Sequence, residues 1–193
     1  MMSNPKKMNL PNRLTVLRIL LVPVFVLFML WDSIPVAPLI ALVIFAIASI
    51  TDYIDGKIAR EQNLVTDFGK FLDPMADKIL VLSAMICMIP YGLCNPVVVI
   101  IVAAREFLVS ALRLVAASQG IVIAAGKSGK LKTASQMLSI VLILALESVR
   151  SLSGFDIPMY TISNILMWLT AAVTVYSGGE YLLKNKRFID PRQ

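Results

Sequence analysis

The 193-residue sequence contains no histidine and only two cysteines, and charged residues make up just 16% of it. Without histidine, the mixed nitrogen and sulfur ligand sets of zinc are unavailable, and a general base has to come from another residue type. Cys87 and Cys94 do not indicate a disulfide framework, so we interpret them as apolar filling. Repeats and low-complexity segments are absent from the sequence, and we expect no cleavable signal peptide.

Apolar residues dominate instead, at 58% of the chain. This content is too high for an ordinary soluble domain, and the chain is too short for a membrane protein with a large soluble part. We therefore predict a single membrane domain over residues 1–193. The formal net charge is +6, and its distribution predicts contacts with anionic lipid headgroups and phosphorylated substrates rather than with nucleic acid.

The apolar runs predict an all-α integral membrane protein with six transmembrane helices. A short amphipathic segment, Asn9 to Thr15, is expected to lie on the membrane surface before the first helix. A last outer loop is predicted from Glu147 to Pro158. The six predicted spans cover residues 14–31, 36–60, 67–90, 97–118, the run that follows Lys132 as far as 146, and 159–183.

Six spans place both termini on one side of the membrane, and the basic residues indicate which side. Of 18 Lys and Arg, only Arg150 falls in the loops of the opposite face, which holds Asp32, Glu147 and Asp156. Cytoplasmic loops carry the excess of Lys and Arg in membrane proteins. We therefore predict a multi-pass protein of the cytoplasmic membrane, with both termini and the acidic motif described next facing the cytoplasm.

Four aspartates stand at helical spacing beside apolar segments: Asp52, Asp55, Asp73 and Asp77. Spacings of three and four residues put each pair on one helix face. An aspartate at membrane depth costs about 2.5–3.5 kcal/mol, so such a cluster needs a compensating charge. Carboxylate ligands suit two Mg²⁺ or Mn²⁺ ions, whose charge would cancel that of all four side chains. The plainer alternative, helix capping and surface ion pairs, accounts for one carboxylate per helix end and not for two matched pairs.

These residues belong to a longer pattern, Asp52-x2-Asp55-Gly56-x2-Ala59-Arg60-x8-Gly69-x3-Asp73-x3-Asp77. The pattern resembles, without a departure, the signature of the CDP-alcohol phosphotransferases, which are integral membrane enzymes of phospholipid synthesis. The segments Asn12 to Arg18 and Gly129 to Thr133 resemble the bacterial branch that makes phosphatidylglycerol phosphate. The resemblance covers nearly the whole chain.

This resemblance implies a reaction and a set of roles. The expected reaction transfers a phosphatidyl group from CDP-diacylglycerol to sn-glycerol 3-phosphate, in a homodimer surrounded by membrane lipids. Asp77 is the implied general base, and it is also expected to share in the binding of the metals. The implied contacts of the cytidine diphosphate group are Asn12, Asp52, Gly56, Ala59, Arg60 and Thr66.

A basic pocket for the acceptor phosphate is predicted around the fourth span. Arg105 and Arg113 are eight residues apart, or about 80° around a helix, so they can face one cavity while Glu106 orients one of them. Lys130 is expected to join them, with Arg18 and Lys132 as further candidates. For Lys130 and Lys132, a role as topology determinants is an equally good interpretation.

Three alternatives use similar residues. The same chemistry could act on inositol phosphate, serine or a second phosphatidylglycerol, and serine would not require the basic pocket. An intramembrane prenyltransferase also binds a diphosphate through aspartates and Mg²⁺, but it usually has a longer chain and other spacings. A divalent-cation carrier would need acidic partners deeper in the opposite half of the membrane, where the sequence places none.

Overall fold

In the computed structural model, which describes residues 9–61, 67–121, 123–124 and 126–186, the chain forms α-helices joined by short segments. Six helices lie within these residues, in agreement with the number predicted. They are α1 (Leu10–Met29), α2 (Ala37–Glu61), α3 (Asp67–Cys87), α4 (Pro96–Ser118), α5 (Lys127–Ser153) and α6 (Met159–Lys184).

Several predicted boundaries differ from the structure; α5, for example, begins at Lys127 rather than after Lys132. The amphipathic segment expected at Asn9 to Thr15 is not a separate element, because Asn9 caps α1 by accepting a hydrogen bond from the amide of Asn12, and the helix then runs unbroken to Met29. The outer loop expected from Glu147 is wrong in its start, since α5 continues to Ser153. The charges there are accommodated on the helix surface, where Arg150 Nε donates to Glu147 at 3.0 Å.

Contacts within the chain divide it into two compact units. The first unit, Met1–Cys87 with Glu147–Phe155, contains α1, α2 and α3. Its core includes the rings of Phe25 and Phe45, whose centroids lie 5.9 Å apart. On α2, Ala41, Phe45 and Ala48 are fully buried at helical spacing, so small residues let α1 and α2 pack closely.

The second unit consists of Met88–Leu146 and Asp156–Gln193 and contains α4, α6 and most of α5. Here α4 packs against α6. Asn95 caps α4 by accepting from the amide of Val97 at 2.9 Å. Beside it, Cys94 is a free thiol, and its burial raises the pKa of that thiol to about 11, consistent with apolar filling.

Three of the described helices are long and apolar enough to cross a membrane: α1 from Asn12, α5 and α6. The apolar part of α2, Ala37–Asp52, is shorter. Large apolar side chains on these helices are exposed, among them Leu20, Leu138 and Leu183 at 61%, 60% and 75%. Exposed apolar surface of this extent is expected where a helix faces lipid, so the structure is that of a membrane protein.

Candidate functional site

The acidic part of the candidate site lies in the first unit and is connected to α1 by an ion pair. Arg18 Nη1 lies 2.7 Å from Asp52 Oδ1, and the Arg18 side chain is completely buried. Arg18 Nε also donates to the carbonyl oxygen of Ala48 at 3.2 Å. One arginine of α1 therefore binds both a carboxylate and the backbone of α2 at the start of the acidic motif.

Arg18 is the last member of a polar stripe on α1. Asn12, Thr15 and Arg18 follow each other at three-residue intervals and are 7%, 1% and 0% exposed. The predicted stripe is therefore a buried face of the helix. The interpretation of Arg18 as an acceptor ligand did not anticipate its ion pair with Asp52, because the sequence does not show which helices will be neighbours.

The structure places the other acidic-motif residues only in part. Asp77 lies on α3 and is half-buried, and Gly69 on the same helix is buried. Asp73 is on α3, and Asp55, Gly56, Ala59 and Arg60 are on α2, but the side chains of these five residues lie outside the described part of the structure. Thr66 lies entirely outside the described residues.

The carboxylate oxygens of the acidic motif are donors that could bind a metal ion. Among the described side chains there is no cluster of three or more potential metal ligands, and only Asp52 and Asp77 of the four aspartates belong to them. The ion pair at Asp52 Oδ1 uses one of about four acceptor positions of a carboxylate, so it is compatible with ligation. Oxygen donors alone suit a hard cation such as Mg²⁺ or Mn²⁺.

The basic part of the candidate site lies in the second unit and is built around Glu106. Arg105 Nη1 donates to Glu106 Oε1 at 3.0 Å, and Lys132 Nζ forms an ion pair with the same oxygen. Arg105 Nη2 donates to Ser177 Oγ on α6, also at 3.0 Å. The side chains of Arg105, Glu106 and Lys132 are only 12%, 13% and 5% exposed. The prediction that Glu106 orients an arginine of α4 is confirmed for Arg105.

Arg113 contacts α6 one turn beyond Ser177. Its Nε donates to the hydroxyl of Tyr181 at 3.1 Å, and its guanidinium carbon lies 5.6 Å from the centre of the Tyr181 ring. Arg105 and Arg113 thus both lie against α6. Lys130 is exposed, in contrast to the buried Lys132, so the two lysines are in different environments.

Two residues of this cluster were missed by sequence reasoning. Ser177 and Tyr181 carry no charge and gave no signal in an apolar helix. Lys132 was a further candidate for the acceptor phosphate, with a role as a topology determinant as an equally good interpretation, and the structure shows it buried and ion-paired. The sequence carries a signal for this burial, because Lys132, Gln136 and Ser139 recur at helical spacing and form a polar stripe on α5.

The cluster has a surplus of positive charge. The buried Lys132 and the largely buried Arg105 share one largely buried carboxylate. Two further cations are exposed, Arg113 on the same helix as Arg105 and Lys130 on the same helix as Lys132. Buried charge is tolerated when it is paired and hydrogen-bonded. The remaining positive charge is suited to binding a phosphate group, which accepts several hydrogen bonds at once.

A helical membrane protein with a carboxylate motif and a basic cluster has the residues expected of an enzyme that acts on anionic, phosphate-containing substrates. The chain belongs to the CDP-alcohol phosphatidyltransferase family, whose sequence model matches residues 8–176. That match includes parts of both units.

Individual relatives are similar over nearly their full lengths. A Bacillus subtilis (strain 168) protein named CDP-diacylglycerol–glycerol-3-phosphate 3-phosphatidyltransferase is 43% identical over 188 residues, covering 92% of this chain and 95% of the relative. A Rickettsia bellii (strain RML369-C) protein of the same name is 36% identical, covering 93% and 97%. A Mycobacterium tuberculosis (strain H37Rv) protein named probable phosphatidylglycerophosphate synthase is 38% identical, covering 94% and 83%.

Proposed function

We propose that the protein transfers the phosphatidyl group of CDP-diacylglycerol to sn-glycerol 3-phosphate, giving phosphatidylglycerol phosphate and CMP. The observation that carries this proposal is the 43% identity, over 92% of the chain, to a relative named for that reaction. The buried basic cluster around Glu106 supports a phosphorylated acceptor rather than an uncharged one.

In the proposed reaction, a hydroxyl oxygen of the acceptor attacks the phosphorus that carries diacylglycerol. A new phosphorus–oxygen bond forms, the bond to CMP breaks, and CMP leaves with the electron pair. Asp77 is proposed to accept the hydroxyl proton, since the family resemblance implies that role and a carboxylate can serve as the base in a chain without histidine. The half-buried position of Asp77 on α3 is compatible with this role.

Two divalent cations, Mg²⁺ or Mn²⁺, are proposed as cofactors. Asp52, Asp55, Asp73 and Asp77 would hold them, and Arg18 would fix the orientation of the Asp52 carboxylate through its ion pair. When bound, such ions neutralise the charge of a diphosphate and acidify an acceptor hydroxyl.

The donor nucleotide is proposed to lie beside the same motif. Glycine and alanine at positions 56 and 59 would let cytidine diphosphate approach the backbone of α2, and Arg60 would meet a phosphate. The other proposed contacts are Asn12, Asp52 and Thr66. Asn12 is buried near the start of α1, three residues before Thr15 on the same polar stripe.

The acceptor phosphate is proposed to bind Arg105, Arg113 and Lys130, with the buried Lys132 as a further candidate. Arg105 is held in place from two sides by Glu106 and Ser177. A guanidinium fixed in this way loses little further freedom when it binds phosphate.

The six helices are proposed to be six membrane spans with both termini and the site on the cytoplasmic side. The distribution of Lys and Arg supports this orientation, with Arg150 alone near the outer end of α5. Membrane lipids would cover the exposed apolar side chains, and part of that surface would form the interface of a homodimer.

The function is tested by measuring CMP release from CDP-diacylglycerol by the purified protein with Mg²⁺ and a panel of acceptors. The expected result is release with sn-glycerol 3-phosphate and none with inositol phosphate, serine or phosphatidylglycerol. Release with serine that is unchanged in Arg105→Met would contradict the proposed acceptor. Metal uptake into proteoliposomes without CMP release would instead indicate a cation carrier.

A further inference from the structure

The helices α5 and α6 bring a buried polar surface together in the second unit. On α5, Lys132, Gln136 and Ser139 are 4%, 2% and 6% exposed. On α6, Thr170 and Thr174 are 1% and 0% exposed. A hydrogen bond of 2.9 Å between the hydroxyls of Ser139 and Thr170 joins the two helices. On α5, the polar residues run from Lys132, which belongs to the basic cluster, to Ser139.

The buried hydroxyls of this surface have partners within the protein. Ser139 bonds to Thr170, and Thr174 Oγ1 donates to the carbonyl oxygen of Thr170 at 2.7 Å. Ser177 accepts the hydrogen bond from Arg105 Nη2. Lys132 is ion-paired with Glu106. The fold itself therefore accounts for these polar groups.

Gln136 is different. Its Nε2 is buried and has no hydrogen-bond partner among the described residues, and Arg105 Nε is in the same situation. Most buried polar groups in proteins are hydrogen-bonded, so an unpartnered amide in this position needs an explanation. Both unused donors belong to residues close to the ion pair between Glu106 and Lys132. Arg105 shares the Glu106 carboxylate with Lys132, and Gln136 follows Lys132 by one turn of α5.

Unused donors of this kind fit a ligand that carries acceptor oxygens at two places. A phosphate bound by the basic cluster would present one set of oxygens to Arg105 and Lys132. A hydroxyl attached to the next carbons of the same molecule would then lie one helical turn along, where Gln136 stands. Neutral hydroxyl recognition is a typical task of a carboxamide, because it can donate without adding charge.

We propose that Gln136 donates a hydrogen bond to the middle hydroxyl of the phosphorylated acceptor and so selects phosphorylated polyols over phosphorylated simple alcohols. This proposal rests on the proposed function and adds a specificity-determining residue to it. The middle hydroxyl does not react. Gln136 therefore contributes to recognition of the acceptor and takes no part in proton transfer.

The first test uses the unaltered protein in CDP-diacylglycerol micelles with Mg²⁺. It compares kcat/KM for sn-glycerol 3-phosphate with that for 3-hydroxypropyl phosphate, which keeps the phosphate and a primary hydroxyl but lacks the middle one. A buried donor left without a partner predicts a preference of about ten- to a hundredfold for the glycerol compound. Equal use of the two acceptors would overturn the proposal without a variant being needed.

The second test replaces the amide. Gln136→Met keeps the side-chain length and removes the donor, so the preference is expected to fall to within about threefold, with most of the loss on sn-glycerol 3-phosphate. Thr174→Val is the matched control, because its hydroxyl bonds within α6, and it should keep the full preference. An equal loss with both acceptors in Gln136→Met would show a merely structural role. If the unaltered protein released no CMP with either acceptor, the proposed function itself would fail, and this proposal with it.

Discussion

Arg18 Nη1 lies 2.7 Å from Asp52 Oδ1, so a completely buried arginine of α1 is paired with the first carboxylate of the acidic motif. The pair makes α1 part of the structure that supports the motif. Arg18 compensates some of the acidic charge that sequence reasoning assigned to metal ions alone.

Replacing Arg18 by methionine should destabilise the protein and weaken metal binding. Removing one partner of a buried ion pair costs about 3–5 kcal/mol, and the partial exposure of Asp52 should bring the loss to the lower end of that range. Arg13→Met is the control, because Arg13 is exposed on the same helix. Thermal unfolding in detergent and Mn²⁺ titration measure the two effects. Equal behaviour of the two variants would show that the ion pair has no supporting role.

The ion pair between Glu106 and Lys132 predicts a non-additive pair of substitutions. Glu106→Gln leaves the buried Lys132 without its carboxylate, at a cost of about 3–5 kcal/mol. The double variant with Lys132→Met removes both charges and should recover much of that stability. Denaturation of all three variants in the same detergent gives the coupling energy. Additive losses would contradict direct coupling of the two side chains.

Two adjacent glycines of α6 allow a test of how Arg105 is positioned. A Cβ at Gly178 would lie 3.1 Å from Arg105 Cγ, whereas a Cβ at Gly179 would meet no described atom within 4 Å. Gly178→Ala should therefore displace Arg105, at an over-packing cost of about 1 kcal/mol or more, and raise KM for sn-glycerol 3-phosphate at least about fivefold. Gly179→Ala should leave KM unchanged. The KM for CDP-diacylglycerol should stay constant in both, and a parallel rise in the two KM values would argue against a role of Arg105 in acceptor binding.

The acidic motif predicts loss of turnover with little loss of folding. Asp77→Asn removes the proposed base and should lower kcat by about 10²–10⁴-fold. Asp73→Asn should act mainly through the metals, so excess Mn²⁺ should partly restore its activity. Asp32→Asn, in the exposed turn between α1 and α2, is the matched control and should behave like the unaltered protein. Unchanged turnover in either motif variant would remove the basis for the metal and base assignments.

The helices could be predicted because their signals are local. Apolar runs and their interruptions gave six helices, and most ends agree to within a few residues. The start of the loop after α5 could not be predicted, because the charges of Glu147 and Arg150 indicated a loop, whereas they pair with each other on a continuing helix. Hydropathy alone cannot distinguish these cases.

Contacts between residues that are distant in the sequence were harder to predict. The sequence indicated that Glu106 would orient an arginine, because the three charged residues Arg105, Glu106 and Arg113 stand on one apolar helix. The pairing of Arg18 with Asp52 and of Glu106 with Lys132 depends on how separate helices pack, and no local spacing encodes that. Gln136 lies four residues after Lys132, which was a candidate ligand, but only the structure shows that Gln136 is buried with an unpartnered amide nitrogen.

The most direct test of the central claim follows the acceptor into lipid. The protein, reconstituted with CDP-diacylglycerol and Mg²⁺, is incubated with radiolabelled sn-glycerol 3-phosphate, and the organic phase is analysed for labelled phosphatidylglycerol phosphate. The account predicts that label enters this lipid in equal amount to the CMP released, that Asp77→Asn lowers the rate by about a hundredfold or more, and that removal of the divalent cation stops it. Label that stays in the aqueous phase while the unaltered protein is folded and supplied with both substrates would contradict the account.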